Sequence, residues 1–564
     1  MAATTALRSI VNDPLTFSIQ FARRFPAARR PLLTLGRAAR GADREVLTAW
    51  LNGDLTATRA LLGDLARRGT LGRLMAEIAQ AAGCPELVVD DERAHPISRA
   101  RAAWQIGETT HAIELLNEYA PKSRLHRSLR AELALMTPGT RLRWTMRPRD
   151  EAPAPRTGVL HLLTNSLPHT QSGYTVRSHA VLTAQRNAGL APRAMTRIGY
   201  PVVVGGLGAA PLDVVDGIEY YRSLPGRLAA TPDGRLLQQA DALAHLASRL
   251  NAAALQTTTN YPNALVVREV AENLGLPWAY EVRGMLEQTW IAGLASETAR
   301  QRASHSERFR LTREREAELA GAADSVFTLS SSMRDDLVTR GVAREHIELV
   351  PNGIDPSLLD RAPTDAPDAR AKIGLPRDGF WVGSTSSLVE YEGFDVLIEA
   401  VRIARANGVD VRLLLVGDGV ARTSLEGQAD SAGLGEAAHF TGRVPRDQTV
   451  AFRDALDLFV VPRHDREVTR TVAPLKPVEA LASGRPLVVS ALPPLLETIG
   501  PELESAGMAV PAGNATALAL RIAELARDDA SRARAVALGR KRARALTWSA
   551  AGETYARNFH AVGA

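Results

Sequence analysis

Between Val460 and Ser490 (VVPRHDREVTRTVAPLKPVEALASGRPLVVS) the chain gathers cations beside the start of a short helix. Arg463, Arg470 and Lys476 follow a buried apolar run, and Pro477 and Gly484 bracket a helical segment that carries Glu479 in its first turn. Proline early and glycine just past the end are ordinary helix boundaries. The free N–H groups and positive dipole end of such a helix suit a diphosphate, and Arg463, Lys476 and Arg470 add full charges to the same place. Glu479 is placed to accept hydrogen bonds from ribose hydroxyls. The chemistry implied is the binding of a diphosphate-bearing ligand.

The elements that must position these residues are readable as strand–helix alternation. Gly158–Leu163, Arg193–Ile198, Val202–Gly205, Gly217–Tyr221, Ala254–Thr258 and Trp278–Val282 read as strands, with helices at Thr175–Gly189, Leu236–Arg249 and Ala264–Leu274. The pattern restarts after Asn352, with strands at Phe380–Ser384, Val411–Val416, His439–Thr441, Leu458–Val461 and Pro486–Ser490. Helices are expected there at Phe394–Asn407, Thr449–Ala455, Pro477–Ser483 and Ala517–Arg527. Such alternation indicates βαβ units and mainly parallel sheets. The expected fold class is α/β, with two tandem Rossmann-like domains. Two such domains leave a cleft between them, with ligands near the carboxyl ends of the strands.

Residues 1–150 read differently. Apolar positions recur at helical spacing in Glu45–Ala82 and Ala100–Met136, so this region is expected to be an all-helical appendage. Ala102–Glu118 (AAWQIGETTHAIELLNE) has the look of one helical-hairpin repeat, although stable arrays need several. The first forty residues mix Leu, Ile and Phe with Arg23, Arg24, Arg29, Arg30, Arg37 and Arg40, a pattern that fits either a solvated end or a peripheral membrane contact. A Pro-rich junction, Arg147–Arg156, then marks a boundary. The expected division is a helical region over 1–150, an N-terminal Rossmann-like domain over 155–340 and a C-terminal one over 341–545.

Bulk properties narrow the function classes. The 564 residues exceed one core. No stretch of about eighteen apolar residues spans a membrane, no cleavable leader is evident, and the single Cys84 excludes an internal disulfide. A cytoplasmic protein is expected, either free or working at the inner face of the plasma membrane. The net charge is +6, yet only four of the 68 basic residues are lysine. That fits a coding bias toward arginine as well as an attraction to phosphate. No basic stripe interleaved with aromatics is present, so no nucleic-acid partner is expected.

Glu479-Ala-Leu-Ala-Ser-Gly-Arg-Pro486 resembles the donor-site signature of the retaining GT-B glycosyltransferases of family 4, glycosyl transferases group 1. In that family the helix is preceded by Glu-x7-Glu; here the first glutamate position holds Thr471, in a variant form reading Pro474-Leu475-Lys476-Pro477. Leu349–Asp355 (LVPNGID) is similar to the family's interdomain element. Gly383–Ala400 occupies the place of its G-R-L-x-x-x-K-G segment, with Ser387 and Glu392 where the family has arginine and lysine. Leu415–Gly419 and Phe440–Arg443 resemble the next two strands and turns. The resemblance implies that the base rests on the backbone at Arg443 and Val444, and that Arg470, Thr471, Pro474, Leu475 and Glu479 line the donor. It leaves Arg463 and Lys476 as the catalytic cations at the leaving phosphate.

In the first domain, Gln171–Tyr174 (QSGY) puts Gly173 where a backbone can approach a phosphate or simply make a turn. His179, one turn on, is expected on a helix surface or between the domains. Thr257–Ala264 and Tyr280–Glu287 resemble acceptor-side loops, which brings in Asn260, Arg283 and Glu287; the last two suit acceptor hydroxyls or an ion pair equally. The resemblance covers roughly 158–560, and residues 546–564 are expected to form a helix returning to the first Rossmann-like domain. The implied reaction moves a sugar from a nucleotide diphosphate sugar to a hydroxyl, with retention and with no metal or other cofactor. The acceptor would be a glycan, a lipid-linked or cell-envelope glycan, or a small molecule. A non-catalytic nucleotide-sugar-binding scaffold and a sugar-nucleotide epimerase are the alternatives.

Overall fold

A computed structural model describes residues 41–145 and 156–563, apart from Thr70, Leu207, Pro363, Arg446 and Asp447. The basic segment before residue 41 and most of the Pro-rich junction lie outside the described residues. Among those described, no helix is long and apolar enough to cross a membrane.

Two sheets organise the chain. The first holds β1 (Val159–Leu163), β2 (Arg193–Thr196), β3 (Leu212–Val215), β4 (Ile218–Arg222), β5 (Ala254–Thr258), β6 (Trp278–Val282), β7 (Ser325–Thr328) and β8 (Ile347–Leu349). Their order is β3-β4-β2-β1-β5-β6-β7-β8, parallel except for the β3–β4 hairpin. The second holds β9 (Phe380–Thr385), β10 (Val411–Val416), β11 (Ala438–Gly442), β12 (Leu458–Val461), β13 (Leu487–Ser490) and β14 (Ala509–Val510). It is parallel throughout, in the order β11-β10-β9-β12-β13-β14. In both sheets the strands with apolar runs on both faces are central and buried, as parallel sheets covered by helices require. The α/β architecture of two Rossmann-like domains preceded by a helical region is the one expected from sequence.

One expected strand is corrected. Val202–Val204 forms a single 3₁₀ turn, with Val204 and Gly206 N–H groups both donating to the Pro201 carbonyl. The hairpin partner of β4 is Leu212–Val215 instead, an edge strand whose Leu212 and Val214 side chains face solvent, so it carries no buried apolar run.

The helical region is also not a loose appendage. Seven helices run from Ala42–Asn52 to Arg124–Met136 among the described residues, and their apolar faces join those of the first sheet in one continuous core. The turn between helices Pro96–Ile106 and Thr109–Tyr119 shows why that segment needs a small residue. Gly107 adopts φ +94°, and a Cβ there would meet the Ser306 Oγ at 2.2 Å and the Trp290 ring at 2.7 Å. Glu307 then accepts hydrogen bonds from the Thr109 hydroxyl and from the Thr110 N–H and hydroxyl. The hairpin resembling a helical repeat is therefore a docking surface onto the first domain.

The connection after β8 and the C-terminal helix join the two domains. Helix α1 (Gly173–Asn187) packs along the C-terminal helix Trp548–Ala561, which returns from the second domain to the first. Arg177 of α1 donates to the Val350 carbonyl at 2.8 Å and to Asn352 Oδ1 at 2.8 Å, and Asn352 Nδ2 donates to the Ala473 carbonyl at 3.0 Å. Glu281, fully buried, receives Arg177 and Arg283 at 2.8 Å each. Burial alone would raise its pKa, but the two guanidinium groups hold it at about 2. Removing one partner from such a pair leaves an uncompensated buried charge. Glu281→Gln is expected to cost about 3–5 kcal/mol in urea unfolding at pH 7. Because the folded pKa is depressed, the contribution of Glu281 is present above its ordinary value of 4.5 and is lost as pH falls toward 2. The difference between wild type and variant should accordingly shrink in acid.

Candidate functional site

The carboxyl ends of β9 and β12 release two loops that fit together without a gap. Gly393, at φ +73°, lies so close to the second loop that a Cβ would meet the Pro462 carbonyl oxygen at 1.9 Å, and the His464 N–H donates to the Tyr391 carbonyl at 3.1 Å. Only a residue without Cβ permits this approach, and it brings Glu392 against Arg463.

The result is a three-charge cluster. Arg463 grips the Glu392 carboxylate with Nε at 3.2 Å and Nη2 at 3.0 Å, and its Nη1 donates to the Val472 carbonyl at 2.9 Å. Lys476 Nζ stands 2.8 Å from the same carboxylate. Burial would raise the Glu392 pKa, yet Arg463 and Lys476 hold it at about 2. Burial also pulls the Lys476 ammonium below the usual lysine range, against the opposing pull of Glu392. Arg463 and Lys476 are therefore brought together, through a carboxylate standing where the resemblance has a lysine.

Lys476 opens helix α2 (Lys476–Ser483), which has proline in its first turn, no side-chain cap at its N-terminus, and Gly484 at φ +74° as its C-cap. Leu475, just before it, reaches across the cleft: a Cβ on Gly173 would lie 3.7 Å from the Leu475 Cδ1. Gly173 is the first residue of α1, whose start is closed by a reciprocal cap between Ser172 and Thr175. Glu479 lines a cavity of about 400 Å³ between α1 and the second domain, together with Leu475, Val176, His179, Asp355 and Trp548. Its Oε2 accepts from Arg453 Nη2 at 2.8 Å. Arg453 is buried and sits on helix Thr449–Asp454; no motif marks it in the sequence. His179 lies between the domains in this cavity, held by Asp216 at 2.9 Å and the Tyr220 hydroxyl at 2.7 Å.

Other expected site residues stand elsewhere. Arg470 is exposed and clasped by both oxygens of Asp465, so it does not join Arg463 and Lys476; this corrects its place at the leaving phosphate. Thr471 is buried, and its hydroxyl donates to the Glu467 carbonyl at 3.0 Å within its own short helix. Pro474 is buried at the turn into α2, following the Ala473 carbonyl that Asn352 holds. Arg443 is exposed and Val444 half-buried where the chain leaves β11. Asn260 is half-buried at the start of helix Tyr261–Leu274.

Arg283 and Glu287 are corrected together. They do not pair with each other, and other buried partners hold both. Arg283 is bound to Glu281, donates to the Ser178 hydroxyl at 2.7 Å and lies 5.2 Å over the Tyr174 ring. Glu287 is fully buried and paired with Arg340 at 2.6 Å. Both positions are spent on holding the first domain together.

Two tandem Rossmann-like domains with a cleft between them define the architecture of the GT-B glycosyltransferases. Residues 172–353 match the glycosyl transferase 4-like domain, and residues 365–542 match glycosyl transferases group 1. The chain thus carries both halves of a GT-B glycosyltransferase. It is 32% identical over 214 residues to a phosphatidyl-myo-inositol mannosyltransferase of Mycobacterium leprae, covering 38% of this chain and 53% of that protein. It is 30% identical over 161 residues to the 2-deoxystreptamine glucosyltransferase of Streptomyces kanamyceticus, covering 28% and 40%. The chain therefore spans about half the length of the curated relatives it matches. Among solved structures, sucrose-phosphate synthase from Thermosynechococcus elongatus superposes with a TM-score of 0.56 at 21% identity, over 72% of this chain and 99% of that one. Anabaena HepE, solved with UDP and glucose, gives 0.55 at 16%, over 72% and 100%.

The loop that carries Arg463 also carries His464, which faces Asp395 on the helix Phe394–Ala406. His464 Nε2 lies 2.8 and 3.0 Å from the Asp395 carboxylate oxygens. That hydrogen bond raises the histidine pKa above its ordinary 6.5. A raised folded pKa adds stability below the unfolded value and loses it as pH rises past the folded one. Thermal unfolding from pH 5.5 to 8.5 should show His464→Asn less stable than wild type in acid, with the gap closing toward the alkaline end.

Proposed function

We propose that this chain transfers a glycosyl group from a nucleotide diphosphate sugar to a hydroxyl acceptor, with retention at the anomeric carbon and without an essential metal ion. The observation that supports this most is the gathering of Arg463 and Lys476 at the uncapped start of α2, whose Leu475 reaches Gly173 of the first domain and whose Glu479 lines the cavity beside it. The difficult event in such a reaction is departure of the nucleoside diphosphate while positive charge grows on the sugar ring. Preorganised N–H groups and cations at the leaving phosphate lower that barrier. Two cations and one carboxylate leave the cluster with one net positive charge, so a diphosphate is attracted but not gripped by two free cations. The cavity beside Glu479 is of the size that small-molecule sites occupy. The proposed setting is the cytoplasm, where Cys84 stays reduced.

The same cluster favours a second reading, a nucleotide-sugar-binding scaffold, because Glu392 already occupies both cations. Calorimetry separates the two, with UDP, GDP and ADP and their sugars as ligands. Binding of one nucleotide sugar followed by transfer to an acceptor supports the enzyme, whereas binding without turnover supports the scaffold. Lys476→Met should weaken nucleoside diphosphate binding by about tenfold, a loss of about 1.4 kcal/mol, and reduce turnover with it. Glu392→Gln should lower stability to urea, because Arg463 and Lys476 lose their buried partner, and in the protein that remains folded it should tighten nucleotide binding by removing the competing carboxylate. Turnover should survive EDTA.

A further inference from the structure

We propose that the cleft contains a second subsite that takes an uncharged polyol or glycan as acceptor, and that the helical N-terminal region holds up its outer wall. The inference rests on the glycosyltransferase reading above. A cavity of about 240 Å³ lies between two short helices of the first domain, Leu286–Ala292 and Glu297–Ser304, and the loop and helix around Glu390 and Glu467 in the second. It adjoins the charge cluster directly: Tyr391 lines it, and the Arg463 guanidinium lies 5.9 Å from the centre of that ring.

The lining chooses the ligand. Ile291, Ala292, Tyr391 and Val468 give an apolar floor suited to the C–H face of a sugar ring. Two arginines stand at the rim, and carboxylates already match each of them. Arg300 lies 3.0 Å from Glu297 and 3.9 Å from Glu390; Arg466 lies 3.4 Å from Glu390 and 3.8 Å from Glu297. With Glu467 also present, the rim has no excess of positive charge. A phosphate would have to displace carboxylates to reach an arginine. A hydroxyl can donate to a carboxylate and accept from a guanidinium, so it inserts between the paired groups without breaking their balance.

The wall is positioned from behind. Arg300 and Arg302 are two residues apart on one helix and so face opposite ways. Arg300 turns to the second domain, while Arg302 pairs with Asp90 at 2.8 Å and Glu108 at 2.7 Å in the helical region. Ser296, just before this helix, donates to Glu86 at 2.9 Å. The helical region thereby fixes the helix that carries Arg300 and Glu297.

The test uses the full chain saturated with UDP, with saturation-transfer NMR reading myo-inositol and maltotriose as uncharged probes against inositol 1-phosphate and glycerol 3-phosphate. The uncharged probes should give signals that Ala292→Trp, which fills the cavity, abolishes while UDP binding by calorimetry is unchanged. Should that variant not fold, Gln301→Trp at the rim serves in its place. Arg302→Glu, which lines nothing, should weaken the polyol signals and spare UDP. Preference for the phosphorylated probes overturns the proposal. So does an absence of polyol signal, or a signal that survives filling of the cavity, in protein that binds UDP. Failure of the wild type to bind any nucleotide would instead count against the glycosyltransferase reading itself.

Discussion

Glu392 is the constraint around which the donor side is arranged. Two cations that stand side by side repel, and burying them without a partner is costly. The carboxylate between them removes that cost, and in doing so ties together three places in the sequence: the loop after β9, the loop after β12 and the first residue of α2. Gly393 is what lets the two loops close far enough for the carboxylate to reach Arg463. At an effective dielectric near 20, a pair of unit charges 4 Å apart is worth about 4 kcal/mol, so breaking either contact is a large event for a loop. The cluster is therefore a preformed fixture of the cleft and does not need a ligand to assemble it.

The hinge is built on the same principle, with one arginine doing the joining. Arg177 leaves the first domain, shares Glu281 with Arg283 and then reaches the connecting segment at Val350 and Asn352. Asn352 passes the connection on to Ala473, three residues before Lys476. A continuous run of hydrogen bonds thus links the buried centre of the first domain to the start of α2. Arg283 serves this run, which is why a residue at the mouth of a β-strand, in a position that suits ligands, is not available to one.

Much of this was legible in the sequence. The alternation of apolar runs with helical spacing gives both sheets, because parallel strands buried on both faces are near-continuous apolar segments. Pro477 and Gly484 give the bounds of α2 to within a residue. Ser387 and Glu392 stand out as departures from the resemblance, and Glu392 turns out to be the centre of the cluster. What was not legible is pairing. Nothing in the local sequence tells Arg470, which is spent on Asp465, from Arg463, which is spent on Glu392; both are arginines in one polar loop. Arg283 and Glu287 sit four residues apart and invite a pair, yet Glu281, two residues back on β6, takes the first, and Arg340, at the end of helix Ser331–Thr339, takes the second. Arg453 meets Glu479 across 26 residues of sequence, beyond the reach of any spacing rule.

The charged pairs around the cleft fall into two classes, buried and exposed. Arg177, Glu281 and Arg283 at the hinge and Glu392 and Arg463 at the donor loops are buried. The pairs that join the two domains at the far rim are not: Glu297, Glu390 and Arg466 keep 59%, 63% and 42% of their side-chain surface exposed. Exposed pairs of this kind contribute about 0–1 kcal/mol each, which thermal motion and salt readily overcome. The helical region shares one core with the first sheet, so the wall that carries Arg300 does not move apart from that domain. Any relative movement of the two domains would therefore part the rim pairs, and would leave intact the Glu392 cluster, which lies wholly within the second domain.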